Sequence, residues 1–453
     1  MHHSEQPHSF ITGALNEPMD RPLSIAILGA GARGTAYAEV AARRPAQARI
    51  VAVAEPRPRL REAFAARHGI TEAACFATWQ EFAARPRMAD IAVISVMDAD
   101  HVGAATALAD LGYQLLLEKP MATTEADCEA IAEAVRRNNT TLAVGHVIRY
   151  TPYTVALKQL IATGQVGDIV SVQHLEPVGY YHFAHSFVRG NWRREAASTF
   201  LLMSKSCHDI DWLSYLIERP VRRVSSFGSL SHFRPDQAPP GAGHRCISCP
   251  VEESCAYSAK RMYVDGLLHG GTKWYFTEIM SEGELTREAV DKALAEGPYG
   301  RCVYGCDNDV VDHQVVNLEY EGGVTASFTL TAFTPVEHRR TKIFGTRGQV
   351  TGDGRFIEFY DFRTEQTTVL DTLDAGPSAA DGHGGGDEGL FHAFLDALHS
   401  GRPNLILSGL EDSLDSHRVV FAAERARREG TVVELAHPTA HEPGEEPPCR
   451  TTG

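Results

Sequence analysis

Gly29-Ala30-Gly31-Ala32-Arg33-Gly34 constrains the fold of this chain more than any other stretch. It follows a short apolar run of strand length, Leu23 to Leu28, and precedes a segment with apolar residues at helical-turn spacing. A G-x-G-x-x-G sequence between a strand and a helix, with an acidic residue ending the next strand, is the fingerprint of a dinucleotide-binding βαβ unit. The next strand is Ala48 to Pro56, and its acidic residue is Glu55. In that reading Gly29 makes the tight turn, Gly31 lets the backbone approach the pyrophosphate, and Gly34 permits close helix–strand packing. Ala32, Arg33 and Gly34 open the helix, whose free N–H groups face the phosphates. Glu55 accepts hydrogen bonds from the adenosine ribose diol and repels a 2′-phosphate, which favours NAD over NADP. Arg57, two residues on, offsets part of that repulsion.

The same alternation continues. Apolar runs at Ala89–Met97, Tyr113–Pro120 and Thr141–His146 read as strands, separated by helices at His101–Leu111 and Thr124–Asn139. Strands alternating with helices imply right-handed parallel βαβ units. Residues 23–147 are therefore expected to form an N-terminal Rossmann domain, a doubly wound parallel sheet. After about residue 148 the rhythm changes to alternating strands joined by hairpin signals such as Glu321-Gly322-Gly323. Residues 148–437 are expected to form a C-terminal α/β substrate and oligomerisation domain with an open, mostly antiparallel sheet. An irregular, cysteine-rich insertion is expected near 236–307, and residues 1–22 and 438–453 read as flexible tails.

Composition narrows the function. The chain has 453 residues, 43 Lys+Arg against 58 Asp+Glu, and a formal net charge of −15. Such an acidic chain is a poor partner for nucleic acid or an anionic membrane. No run approaches the roughly 18–20 apolar residues of a membrane span. The N-terminus has no basic stretch followed by an apolar one, so no secretory signal is read and a cytoplasmic location is expected. Nine cysteines in such a chain suggest reduced thiols rather than a disulfide scaffold.

Several segments together carry a resemblance. They are GAGARG, Glu118-Lys119-Pro120 at the end of a strand, GHVIRYTPYTVALKQLIATGQVGDI from Gly145, and CHDIDWL from Cys207. This combination resembles the Gfo/Idh/MocA oxidoreductases and covers about Leu23 to Leu435. The resemblance implies an NAD(P)-dependent dehydrogenase acting on sugars, cyclitols or their derivatives. It implies that Lys119 polarises the reacting hydroxyl or carbonyl, and that Glu118 and His101 border the cofactor. Where the family usually has T-P-N-x-x-H, this chain has Met97-Asp98-Ala99-Asp100-His101 and keeps only the histidine. Where the family has Asp-x-x-x-His, it has Ser204 and His208. His208 is then the expected general acid/base, since its reference pKa of about 6.5 suits proton transfer near neutrality. Lys205 is the neighbouring candidate to share that work. Asp209 and Asp211 read as favourable charges at a helix N-terminus. Two other readings stay open, an NAD-retaining glycosidase that works by transient oxidation and elimination, and a non-catalytic NAD-binding regulator. Self-association as a homodimer or homotetramer is expected from the open sheet.

Three further clusters stand out. His182, His185, Arg189, Asn191 and Trp192 supply the polar groups and aromatic face that a sugar needs. His383 and Asp387, in a glycine-rich segment, are candidates to line the same pocket. Cys246-x2-Cys249-x5-Cys255 is followed by Cys302-x3-Cys306. Tetrahedral zinc commonly begins with C-x2-C. The expected set for a structural zinc is Cys246, Cys249, Cys255 and Cys302, with Cys306 as substitute. An iron–sulfur cluster or free thiols remain the alternatives.

Overall fold

The computed structural model describes residues 21–373 and 383–435. Residues 1–20 of the first expected tail, 1–22, and all of the second, 438–453, lie outside the described residues.

The N-terminal half runs β1 (Leu23–Leu28), α1 (Ala32–Ala42), β2 (Ala48–Ala54), α2 (Pro58–His68), β3 (Cys75–Phe76), α3 (Trp79–Ala83), β4 (Ile91–Ile94), α4 (His101–Asp110), β5 (Gln114–Leu117), α5 (Glu125–Arg137) and β6 (Leu142–Val144). Its six strands are all parallel, in the order β3-β2-β1-β4-β5-β6. β4 and β5 are buried at every position, as expected of strands covered on both faces. α2 ends in a left-handed glycine, Gly69, with φ 65°. Thr124 caps α5 by accepting from the Asp127 N–H, and Arg136 and Arg137 close its last turn. The short β3 was not visible in the apolar pattern. Strand order reverses between β1 and β4, which places the ligand crevice at their C-terminal ends.

The second half begins with α6 (Pro152–Ala162), β7 (Ile169–Pro177), α7 (Tyr180–Phe183), α8 (Leu201–Ile217) and β8 (Val221–Ser229). Then come α9 (Ala259–His269), α10 (Thr272–Met280), α11 (Arg287–Glu296), β9 (His313–Tyr320), β10 (Thr325–Thr331), β11 (Arg340–Gly345), β12 (Gly348–Gly352), β13 (Phe356–Asp361) and β14 (Gln366–Asp371). The last elements are α12 (Gly386–Ser400), α13 (Leu410–Glu429) and β15 (Val433–Glu434). Nine strands form one sheet in the order β14-β13-β12-β11-β7-β10-β9-β8-β15. Every pair is antiparallel except β7–β10, so the sheet is mixed but mostly antiparallel. α8 packs on β7 and β10, α13 on α8 and β8, and α6 on β13. On the other face Gln173, Ser327, Thr329, Lys342 and Thr351 point outward beside Leu175 and Phe356, so the open surface mixes polar and apolar side chains.

The insertion departs from its expected irregularity. α9, α10 and α11 share a small core of Met262, Tyr263, Phe276, Met280, Val290 and Leu294. The break at Gly270 and Gly271, with φ of 69° and 70°, hides the helical period on either side. The stretch after β7 is also helical: α7 runs on into a π-helical turn, Ala184–Arg189.

Candidate active site

The glycine loop is built as its spacing demands. Gly29 has φ +90°, and a Cβ there would meet the Ser95 carbonyl oxygen at 2.3 Å. A Cβ on Gly34 would meet the Gly29 carbonyl oxygen at 2.0 Å, so helix and strand approach only because it is glycine. At Gly31 the nearest atom to such a Cβ is Arg57 Nη2, at 3.5 Å, and the loop surface is open on that side. α1 has no side-chain cap and no acidic residue in its first turn. Its leading N–H groups are therefore left for an anion, which fits a dinucleotide pyrophosphate.

Glu55 is buried at the tip of β2. Oε2 accepts from the Ala30 N–H at 2.9 Å and Arg57 Nη2 at 3.0 Å. Oε1 accepts from the Arg57 N–H at 3.0 Å and Arg57 Nε at 2.6 Å. A carboxylate offers about four acceptor positions, so a ribose diol reaches Glu55 when the half-exposed Arg57 side chain swings aside. Arg33 points away from the loop surface. Its guanidinium forms a bidentate pair with Asp387 of α12, both distances 2.8 Å, and bonds Glu118 Oε1 at 2.8 Å. Tyr37 completes this buried group through Glu118 at 2.7 Å. Burial disfavours the Glu118 charge, but Arg33, Tyr37 and Lys119 outweigh it and hold the carboxyl below its ordinary range. His101 is fully buried, Nδ1 lying 2.7 Å from the Pro120 carbonyl and Nε2 3.3 Å from that of Val96. It braces two strand-end loops from behind rather than bordering the cofactor as expected.

Lys119 follows β5 at the C-terminal edge of the sheet. Its ammonium donates to the Ser204 carbonyl at 2.7 Å, leaving two of its three donors for a ligand. α8 carries Ser204, Lys205 and His208, with non-helical φ/ψ at Ser206. The departure from Asp-x-x-x-His is therefore filled by the Ser204 backbone, since its hydroxyl bonds back within the helix at 3.3 Å. Lys205 pairs with Glu176 of β7 at 2.9 Å. Arg339, which precedes β11, lies 3.1 Å from Glu176, pairs with Asp209, and donates from Nη2 to His208 Nε2 at 2.8 Å. His174 extends this row to Asp209 at 3.2 Å.

That row changes the role expected of His208. Burial pushes its pKa well below 6.5; Arg339, Lys119 and Lys205 push the same way, and Asp209 does not offset them. A guanidinium only donates, so Nε2 is the acceptor and the proton sits on Nδ1. Nδ1 is buried without a hydrogen-bond partner. A neutral histidine presenting an N–H replaces the expected base titrating near neutrality. Asp209 and Asp211 are also corrected, because both lie inside α8. Asp209 serves Arg339 and His174; Asp211 holds Arg149 at 2.6 and 2.7 Å. Glu176, Arg339 and His174 went unnoticed in the sequence.

His182 and His383 join this cluster. His182 is held well below its ordinary pKa by burial and then by Lys205, His185, Lys119 and His383. The His383 ring lies 6.5 Å from that of His208, and its Nδ1 bonds Asp387 at 3.0 Å. Trp192 donates to Asp98 at 3.0 Å and closes one wall of the crevice. The other members of the expected sugar-binding stretch are elsewhere. His185 stacks on Tyr299 at 4.5 Å and bonds the Tyr263 hydroxyl at 2.9 Å, inside the insertion. Arg189 is fully buried beside Cys246, and Asn191 is exposed. The insertion also reaches the crevice: Glu284 pairs with Arg59 at 2.6 Å, and Tyr275 of α10 lies within electrostatic reach of Arg33, Asp387 and Glu118. Among the described residues, no three His, Cys, Asp or Glu side chains are gathered as ligands of one ion. The expected single zinc is therefore not supported.

The pattern "Oxidoreductase family, NAD-binding Rossmann fold" matches residues 23–146, and "Oxidoreductase family, C-terminal alpha/beta domain" matches residues 158–435. The chain belongs to the Gfo/Idh/MocA oxidoreductase family. Within the family it is 26% identical to the Bacillus subtilis (strain 168) protein YteT, assigned as an oxidoreductase, over 346 residues, 71% of this chain and 76% of that one. It is 27% identical to the levoglucosan dehydrogenase of Pseudarthrobacter phenanthrenivorans over 204 residues, 43% of this chain and 51% of that one. An oxidoreductase from Agrobacterium radiobacter, solved with NAD+, L-tartaric acid and magnesium, shares the fold at TM-score 0.66 and 15% identity, covering 91% of this chain and 98% of that one. Gfo/Idh/MocA membership makes this chain an NAD-binding oxidoreductase. Among the described residues no helix is long and apolar enough to cross a membrane.

Proposed function

We propose that this enzyme transfers a hydride between NAD and a secondary hydroxyl or keto group of a sugar, glycoside or cyclitol. The observation that carries the reading is Lys119, held at the crevice edge by the Ser204 carbonyl with two donors free, facing Lys205, His182, His208 and His383. Bound NAD supplies the hydride acceptor. Ala32, Arg33 and Gly34 offer backbone N–H groups to its pyrophosphate and Glu55 holds its ribose. Lys119 sits at the reacting oxygen, where an ammonium favours the charge that develops as the C–H bond breaks. The Nδ1–H of His208 donates to the same oxygen or its neighbour and fixes the carbinol. In reduction the Lys119 ammonium delivers its proton to the carbinol oxygen and is left as the neutral amine; oxidation runs the same transfer in reverse, from the hydroxyl to the neutral amine, since His208 has no free acceptor while Arg339 occupies Nε2. His182, His383 and Trp192 present the polar and aromatic lining that orients a polyol. Alignment of the reactants provides a large part of the rate.

Relatives that are dehydrogenases for levoglucosan and for inositol support a polyol substrate. The open face of the second sheet, lined by Gln173, Lys342 and Glu358, is the surface through which copies of the chain pair. The test is a screen of polyols, anhydrosugars and glycosides with NAD, followed by NADH absorbance. Accumulating NADH on a free sugar or cyclitol supports the dehydrogenase. Aglycone release without net NADH overturns it in favour of the redox-assisted glycosidase.

A further inference from the structure

We infer that Glu282, in the cysteine-rich insertion, is the carboxylate to which Arg57 transfers when NAD displaces it from Glu55. The inference rests on Glu55 as the ribose acceptor proposed above, and it adds a cofactor-binding residue from outside the Rossmann half.

The insertion forms an outer wall of the dinucleotide groove. The turn after α10, residues 281–284, lies against the first turn of α2, which follows the tip of β2 at the adenosine end of the crevice. Glu284 pairs with Arg59 there at 2.6 Å, and a Cβ on Gly283 would stand 4.0 Å from Leu60 Cδ2, an ordinary van der Waals contact. α10 itself flanks the other end. Its Phe276 ring packs 5.0 Å from the His182 ring, and the neighbouring Tyr275 lies within electrostatic reach of Arg33, Asp387 and Glu118. Between these points Glu278 of α10 comes within electrostatic reach of Glu39 of α1.

Arg57 stands just inside this wall. It is the residue that caps the start of α2, and Glu282 and Tyr299 of the insertion both act on it electrostatically. Its side chain now occupies Glu55, Nε on Oε1 at 2.6 Å and Nη2 on Oε2 at 3.0 Å. The Arg57 and Ala30 N–H groups take a further position on Oε1 and Oε2 respectively. Moving the side chain away therefore frees one acceptor position on each oxygen, which is what the two hydroxyls of a diol need, while the backbone bonds keep the carboxylate in place. The displaced guanidinium takes its charge with it. Glu284 is already held by Arg59, so Glu282 is the carboxylate of the facing turn left to receive it.

Glu282 is set for that exchange. Its side chain is exposed and forms no hydrogen bond or ion pair among the described residues, although it acts on Arg57 through space. Its backbone is left-handed, φ 52°, at the end of α10, where the Gly283 N–H donates to the Glu278 carbonyl at 2.9 Å. Glycine or asparagine is the ordinary occupant of such a helix end. A glutamate there bears backbone strain, and a side chain that answers Arg57 gives the strain a use. The exchange also separates the two cofactors. A 2′-phosphate offers Arg57 an anion of its own, so Glu282 helps only the cofactor that lacks one.

The test is calorimetric titration of the full chain with NAD and with NADP. Glu282→Gln keeps the shape and removes the charge. It should weaken NAD by about 2–5-fold, the range of one exposed ion pair, and leave NADP no weaker. The loss should fade in about 0.5 M salt, which screens exposed charges. In an Arg57→Gln background the same change should do nothing. Glu282→Gly relieves the left-handed backbone, so it should weaken NAD to the same extent without lowering the melting temperature. Unchanged NAD affinity in Glu282→Gln overturns the inference, as does an equal loss with and without the Arg57 side chain. Glu55→Ser, titrated alongside, separates this exchange from the reading beneath it. An unchanged gap between NAD and NADP in Glu55→Ser removes the role of Glu55 itself. A narrowed gap there, with Glu282→Gln binding NAD as the wild type does, removes the exchange alone.

Discussion

Replacing His185 with phenylalanine should change how the protein answers to acid. Burial is the leading cause that lowers three histidines, His146 and His185 to about 3 and His417 to about 4. Unfolded imidazoles titrate at about 6.5. Between these limits the unfolded chain binds protons that the folded chain does not. The stability these residues contribute is therefore fully present above pH 6.5 and is lost as pH falls toward the folded values. At pH 5 each unfolded imidazole is favoured by about 1.5 pH units, or about 2 kcal/mol, so the three together remove about 6 kcal/mol. Their combined slope near pH 5 is about 4 kcal/mol per pH unit. His182, His208 and His383 shift in the same direction and add to it. The carboxylates held low by ion pairs, such as Asp209 and Asp211, lose their contribution only below the ordinary carboxylate range, so the window above it reports histidines. Urea unfolding followed by tryptophan fluorescence in small pH steps gives the slope. Phenylalanine keeps the stack on Tyr299 but takes up no proton. The His185→Phe slope should therefore be shallower by about 1.4 kcal/mol per pH unit, whatever its absolute stability. Equal slopes for wild type and variant would refute a buried neutral His185.

Lys119→Ala should lower kcat by about 10²–10³-fold, the loss typical of one preorganised donor at a developing oxyanion. Its NAD affinity by titration calorimetry should stay within a few-fold of wild type, and a near-normal kcat would remove Lys119 from the chemistry. Asp387→Ala breaks the buried bidentate pair with Arg33 while Glu118 remains, so a stability loss of about 3 kcal/mol is expected from the urea midpoint. An unchanged midpoint would show that Glu118 alone suffices. Wild type should bind NAD more tightly than NADP, and Glu55→Ser should narrow the gap; tighter NADP binding in calorimetry refutes the role given to Glu55.

The parts of this site that could be read from sequence are those fixed by local geometry. Gly29 and Gly34 have no alternative residue at their contacts, and Lys119 follows directly from the end of a strand. The parts that could not be read are assembled over distance. Arg339 and Asp209 stand 130 residues apart in the chain and meet only because β11 pairs with β7 beneath α8. α8 begins at Leu201 with Phe200 before it and no capping side chain. Without a cap, Asp209 and Asp211 look like the start of the helix although they lie in its middle. The stretch from His182 to Trp192 looks like a polar loop because its histidines and arginine are assigned by type. In the fold α7 sends His182 to the crevice, and the π-helical turn that continues it sends His185 and Arg189 into the insertion. The pairing of hydrophobic and charged positions there follows a wider helical period than the usual one, and only the backbone reveals it.

The Arg33 group has a mechanical meaning. Arg33 belongs to the helix whose first N–H groups await the pyrophosphate, and it is bolted to Asp387 on a helix of the other half. Rocking the halves apart would leave Arg33 with Glu118 but pull the buried Asp387 carboxylate off its guanidinium, so this pair resists opening of the crevice. Small parts do the moving instead. Arg57, bonded over Glu55 with its side chain 48% exposed, is the piece that has to turn, the ribose diol taking over its bonds to the carboxylate. Admission of the nucleotide thus becomes a matter of one exposed side chain changing rotamer and exchanging partners, while the walls that set the distance between nicotinamide and polyol stay where folding left them.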